Sequence, residues 1–478
     1  MRGRGLMTDT AEGRLQTALS DHARAPQDLA PLRAICALLM ELKREDELAP
    51  FASKALALSP RDTLFVHMRG EAYRLCGQPF DALATWRHYA ALPWTPQFLK
   101  YQIGVNLAAT GDLEGGIATL TGSWEAAKQA GDPIAAPAEH MLGDALLKTA
   151  RPEGFRHFLA RNQGDSGNYR PPDILAWTGE AKLKGRRLLV THQLGFGDQF
   201  LFFACVADWR AAGASVMITC DPQIHLLLQA SLPDCVVESA ARPIECHIPL
   251  PETLSASVRA FAPDLHVSLL HLPMLKATVQ SGAPYFRPYI KAPSSARSVA
   301  EEWAGDLRSA HPGNALIGFF WDCSQRHFPD LGATMRCWAS RRSLPLAQVE
   351  RLIATPAPVH FINLHHPTVQ NLAGAPAGDI SSYAPGIRDF ADTAACIEQL
   401  DAVIAVDSGV ANLSAMMGKP TTVLTPHASD WRWGAQGAAT PWMSGVKVLR
   451  QSVPGDWSTV IDEALINLAA MAPPAAKR

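Results

Sequence analysis

Four sets of residues recur 34 positions apart in the first third of the chain, and this period constrains the fold more than composition does. Cys36, Gly70 and Gly104 form one set, and Leu39, Tyr73 and Leu107 a second. Leu48, Ala82 and Gly116 form a third, and Ala52, Trp86 and Leu120 a fourth. Small residues at two fixed places and large ones at two others suit pairs of closely packed helices, one pair per period. A looser fourth unit with an insertion runs through Gly143, Leu146 and Leu147. Residues 11–162, rich in Ala and Leu, are therefore expected to form a helical repeat domain stacked into a curved solenoid. An irregular helical bundle is the alternative.

A different pattern follows. Residues 163–185 are rich in turn formers and contain Pro171-Pro172, which marks a linker. Short apolar runs then alternate with helical stretches, as expected of parallel sheets with right-handed crossovers. Strands are predicted at 187–191, 215–219, 235–238 and near 245–248, giving a first Rossmann-like domain over 186–295. Residues 296–313 read as a connecting helix. A second Rossmann-like domain is expected over 314–470, with strands at 315–321, 359–364, 402–406, 421–424 and 446–449. Its segment 322–340 reads as an irregular loop, and 457–470 as a closing helix that could cross back to the other domain.

Two turns carry the chemistry. The strand at 187–191 is followed by Gly195-Phe196-Gly197-Asp198 and a helix start. Glycines there let a substrate approach the backbone. Asp198 suits either a helix cap or a general base aimed into a cleft. The third glycine of a dinucleotide fingerprint is missing, so NAD and FAD are not expected. The strand at 402–406 ends in Asp407-Ser408-Gly409 and a second helix, a place where open parallel sheets bind ligands and helix amides favour phosphate.

Composition narrows the classes. Net charge is −2 and charged residues are 18%, which fits neither a nucleic-acid binder nor a polyanionic tail. Nine cysteines without a CxxC pair read as reduced thiols of a cytoplasmic protein. The start MRGRGLMTDT lacks the apolar core of a secretory signal, and no run of about 18 apolar residues predicts a membrane span.

The repeat period resembles tetratricopeptide repeats, and the motifs together resemble bacterial tetratricopeptide-repeat glycosyltransferases. The catalytic region is similar to that of the ADP-heptose:lipopolysaccharide heptosyltransferases. The resemblance rests on GFGDQFLF (195–202), RRSLPL (341–346), DFADTAACIEQLDAVIAVDSGVANL (389–413), GKP (418–420) and DWRW (430–433). It implies a repeat solenoid followed by a GT-B fold of two facing Rossmann-like domains. It implies Asp198 as the base that deprotonates the acceptor hydroxyl. Asp407, Ser408 and Gly409 would hold the nucleotide-sugar donor. Arg341 and Arg342 would face its phosphates, and Trp431 and Trp433 would form an aromatic loop on the donor side. Gly195 and Gly197 would line the cleft. Where the family carries His, this chain has Asn412, which keeps hydrogen bonding but carries no charge. The segment after Trp321 also departs, and Asp322, Arg326 and His327 are candidate contacts there.

The expected function is an inverting glycosyltransferase that needs neither metal nor cofactor, the nucleotide-sugar being its substrate. No metal-ligand spacing is visible; His365 and His366 are adjacent. The repeats would recruit a protein acceptor, and the resemblance points to flagellin. A lipopolysaccharide-type glycan acceptor is an alternative within the class. A repeat scaffold with a catalytically silent domain, or a nucleotide-sugar epimerase, lies outside it.

Overall fold

A computed structural model of the chain describes residues 10–90, 96–162, 173–179, 182–193, 195–241, 252–276, 285–323, 333–367, 376–383 and 385–470. The chain forms two compact units.

The first unit is built on the 34-residue period. Helices begin at Leu29, Thr63 and Gln97, and their antiparallel partners Pro79–Ala90 and Leu113–Ala130 keep the same spacing. Aspartates cap three of them: the side chains of Asp28, Asp62 and Asp112 accept from the first free amides. The size pattern has a direct cause. A Cβ added at Gly70 would lie 2.1 Å from Trp86, and one at Gly104 would lie 2.7 Å from Leu120. The small residue of the first helix thus receives the large residue of the second. Helix Leu48–Leu58 stops two residues before Pro60. The first helix, Ala11–Arg24, begins two periods before Pro79, so it is the second half of a leading unit that the sequence pattern did not expose.

This unit also contains a piece of chain from far downstream. Residues 322–340 were expected to be irregular, yet Ala333–Arg342 is a helix lying in the repeat unit, together with 453–455. Arg336 pairs with the buried Glu45, Arg74 donates to Thr334 Oγ1 at 3.0 Å, and Arg341 donates to the carbonyl of Arg74 at 3.2 Å.

The second unit holds two parallel sheets. In the first, β1 (Leu175–Ala176), β2 (Arg187–Thr191), β3 (Ser215–Cys220), β4 (Val236–Ser239) and β5 (Leu265–Ser268) run in the order β1-β5-β2-β3-β4. In the second, β6 (Ala315–Phe320), β7 (Val359–Asn363), β8 (Ile380–Ser382), β9 (Ala402–Val406), β10 (Thr421–Thr425) and β11 (Val446–Arg450) run in the order β11-β10-β9-β6-β7-β8. Both faces of each sheet are covered, which explains the continuous apolar runs. Along β9, Val403 and Ala405 enter the core shared with the first sheet, while Ile404 and Val406 face helices Leu346–Ile353 and Ser458–Ala469. The closing helix therefore stays on the second sheet and does not cross back.

Two boundaries shift. Residues 146–162 belong to the α/β unit, because Leu147, Phe155 and Phe158 sit in its core. Part of the expected linker is structure: β1 pairs with β5, and Trp177 and Leu183 are buried. Strands β1, β5 and β8 were not predicted, and the strand expected near 245–248 lies outside the described residues. Among the described residues no helix is long and apolar enough to cross a membrane.

Candidate active site

Sheet order places the two polar turns. In the first sheet the chain reverses direction of growth between β2 and β5, and Asp198 lies in the first turn of the helix after β2. In the second sheet it reverses between β6 and β9, and Asp407 directly follows β9. Crevices at such reversals, outside the carboxyl ends of the strands, are where open α/β sheets bind ligands.

The helices that follow, Phe196–Phe202 and Gly409–Met416, meet at their amino ends. A Cβ at Gly197 would lie 3.0 Å from Asn412 Nδ2 and 3.6 Å from Gly409 Cα. Glycine at 197 thus serves the contact between the two halves, and the space in front of it is taken by protein. Asn412 is buried and donates from Nδ2 to the carbonyl of Ser408 at 2.8 Å. Ser408 caps its helix by accepting from the Ala411 amide at 3.2 Å. An uncharged side chain at 412 fits this closely packed junction, where an unpaired charge would be costly.

Asp198 uses both carboxylate oxygens. Oδ2 accepts from the Gly195 amide at 3.1 Å, and Oδ1 accepts from Arg432. Arg432 also donates to Asp430 Oδ1 at 2.6 Å and lies 4.6 Å above the Trp431 ring. It is only 9% exposed. Burial alone would lower its pKa, but Asp198, Asp430 and Asp407 more than offset this and raise it above the ordinary value. Burial likewise pushes Asp430 up, and Arg432 overrides it, so that its pKa falls. The guanidinium ties the Asp198 turn of the first sheet to the loop after β10.

A cavity of about 390 Å³ opens at the carboxyl ends of β6 and β7. Phe196, Phe320 and Phe390 give it aromatic walls, and His366, Arg388 and Thr393 give it polar ones. Gly409 and Val410 bring it beside the Asp407 turn. The turn after β6 is fixed to the same place. Cys323 Sγ donates to the Asp407 carbonyl at 3.2 Å, and Ser343 Oγ donates to Asp322 Oδ1 at 2.8 Å while accepting from the Cys323 amide at 2.9 Å.

His365 lies in the wall as a neutral group. Its Nε2 accepts from the Asp322 amide at 3.2 Å, and Nδ1 pairs with Asn363 Oδ1 at 2.8 Å. Burial pulls its pKa down to about 4 from 6.5, against the smaller opposing effect of Asp322. The unfolded chain therefore binds more protons between these two values, so stability present above pH 6.5 is lost as pH falls through this window. The stability gap between the parent and His365→Gln should shrink by about 3 kcal/mol from pH 6.5 to pH 4 in urea titrations. A gap that does not change with pH would refute the buried neutral state.

The other predicted residues fall elsewhere. Trp431 and Trp433 are 1% and 0% exposed. Trp431 packs among Phe155, Phe158, Phe202 and Trp442, so the indoles are core rather than ligand contacts. Arg341 and Arg342 belong to the repeat unit, where Arg341 serves the Arg74 carbonyl and both guanidinium groups lie over Trp338. Arg326 and His327 lie outside the described residues. Arg432 was missed. Its signal was the DWRW string itself, with an arginine between two tryptophans and after an acid.

No family model matches the chain. Protein FlbA of Caulobacter vibrioides (strain ATCC 19089 / CIP 103742 / CB 15) is 23% identical over 457 residues, covering 90% of this chain and 71% of that protein. Among solved structures, a glycosyl transferase family 9 protein from Veillonella parvula DSM 2008 is 11% identical with a TM-score of 0.45, covering 61% of this chain and 98% of its own. The E. coli ADP-heptose lps heptosyltransferase II is 13% identical with a TM-score of 0.39, covering 59% of this chain and 98% of its own.

Proposed function

We propose that this chain is a glycosyltransferase that moves a sugar from a nucleotide-sugar to a hydroxyl of a protein acceptor held by the repeat unit. The observation that carries this reading is the meeting of the Asp198 and Asp407 turns, each at its sheet's point of reversal, beside a cavity with aromatic and polar walls. Asp198 takes the proton of the acceptor hydroxyl. The oxygen attacks the anomeric carbon from the side opposite the phosphate, so configuration inverts. The electron pair of the broken bond leaves on the phosphate oxygen. Its charge falls near the amides that open helix Gly409–Met416 and near Arg432, the places where a fixed positive field helps most. Both oxygens of Asp198 are engaged within the protein, so an acceptor hydroxyl replaces one of these contacts.

The repeat unit offers a groove of about 910 Å³ between its first two helices, lined by Arg14, Asp21, Arg24 and Glu41 together with alanines. Charges of both signs beside small apolar residues suit a peptide segment. Flagellin is the acceptor we infer, acting in the cytoplasm, and a lipopolysaccharide-type glycan is the alternative. The engaged Asp198 and the filled space at Gly197 favour a second reading, a repeat scaffold with a silent catalytic region. A melting screen with UDP-, GDP-, ADP- and CMP-sugars separates them. One donor at about 100 times its dissociation constant should stabilise the chain by about 2.7 kcal/mol. Stability unchanged by every donor supports the scaffold.

A further inference from the structure

A second cluster of ligating side chains lies at the opposite, amino-terminal edge of the second sheet. His311 stands in the turn before β6, His360 is the second residue of β7, and Asp379 immediately precedes β8. One potential donor atom of each lies within 4.8 Å of the other two. The spacings of 49 and 19 residues match no metal motif, which is why the sequence did not reveal it. The carboxyl ends of the strands, where the cavity opens, are roughly 15–20 Å away along a six-residue strand.

His360 is buried, and its Nε2 is fixed by Ser381 Oγ at 2.7 Å. The Nδ1 atom then faces Asp379 Oδ2 at 3.5 Å, longer than a normal hydrogen bond. The His311 ring stacks on His360 with centroids 3.6 Å apart and planes 17° from parallel. A tetrahedral ion with bonds of about 2.0–2.2 Å holds its donors about 3.3–3.5 Å apart. The Nδ1–Oδ2 distance falls at this scale. The two rings are stacked nearly parallel, so the in-plane lone pair of His311 reaches the shared point only when that ring, carried by a turn, rotates out of the stack.

We propose that His311, His360 and Asp379 bind a single divalent transition-metal ion, Zn²⁺ by the nature of its donors. Two imidazoles and a carboxylate suit Zn²⁺, with water as fourth ligand, and do not suit Mg²⁺, which prefers an all-oxygen shell. Ser381 is the outer contact that orients His360, as ligating histidines require. Asp379 is 81% exposed and gives the ion its way in from solvent. The ion pins the three-residue edge strand β8 and the turn before β6 to β7. Its distance from the cavity makes it a fastening of the sheet with no part in sugar transfer.

The test uses the full chain after chelator treatment, with Zn²⁺ and Mg²⁺ added separately. Calorimetric titration should find one Zn²⁺ site, and saturation at about 100 times the dissociation constant should raise the melting temperature by about 5 °C. Mg²⁺ should do neither. His360→Gln removes a buried partner and can perturb folding, so the exposed Asp379→Asn decides. It should weaken Zn²⁺ binding more than about tenfold while leaving the metal-free melting temperature in place. No Zn²⁺ binding, or binding unchanged by Asp379→Asn, overturns the site and leaves a stacked histidine pair beside Asp379.

Discussion

Asp198→Asn should lower sugar transfer by about 10²–10⁴-fold, the range a positioned general base supplies. The substitution keeps the shape of the side chain and an oxygen that can accept from Arg432, but removes the basicity. Alanine is the poorer choice. It would leave Arg432 buried with Asp430 as its remaining close acid, and breaking one partner of a buried pair costs about 3–5 kcal/mol. Loss of transfer in the alanine variant would then mix chemistry with unfolding. Turnover of the donor that the melting screen selects, measured at matched folded fractions, is the appropriate assay. If Asp198→Asn transfers sugar at the parent rate, the carboxylate is a brace between the halves and the base lies elsewhere.

Trp431→Ala should cost about 3–5 kcal/mol, the usual range for removing a large aromatic from a core. Four aromatic rings surround it: Phe155 at 5.4 Å, Trp442 at 5.6 Å, Phe158 at 6.1 Å and Phe202 at 6.3 Å between centroids. The loss is therefore spread over residues from 154–158, the helix after β2 and the loop between β10 and β11, and none of them can refill the cavity alone. Trp431 also lies under Arg432, so the variant should lose ordered Arg432 as well as stability. Chemical unfolding followed by circular dichroism gives the free energy. A cost below about 1 kcal/mol would mean that the indole is dispensable to the core, and would restore a ligand-facing role for it.

The legibility of the fold depended on how local its causes were. The 34-residue period was readable because Gly70 and Trp86, and Gly104 and Leu120, complement each other within one repeat. Strand β9 was readable because all four residues from Val403 to Val406 are buried, which leaves an uninterrupted apolar run. Strand β5 was hidden by its own polar residues. His266 and Ser268 point into the core, where His266 pairs with Thr191 Oγ1 at 2.9 Å, so a buried strand resembles a loop. The turns at Asp198 and Asp407 were correctly singled out as strand-end features. What they meet was not readable, since Arg432 and Asp198 are 234 residues apart. Arg341 was misplaced for a related reason: a basic residue ahead of a helix gives no sign of which unit that helix joins.

The excursion of the backbone between Cys323 and Ser343 has a consequence for modularity. The stretch between β6 and β7 lends a ten-residue helix, Ala333–Arg342, to the repeat unit, and the ends of the loan are clasped by Ser343 beside the Asp407 turn. The repeats are thus a discontinuous module despite their tandem sequence. A fragment cut after residue 145 or 162 would present Glu45 and the Arg74 carbonyl without the arginines that meet them. Exchange of repeat arrays between relatives cannot be a simple splice at one junction, and must carry the borrowed helix with it.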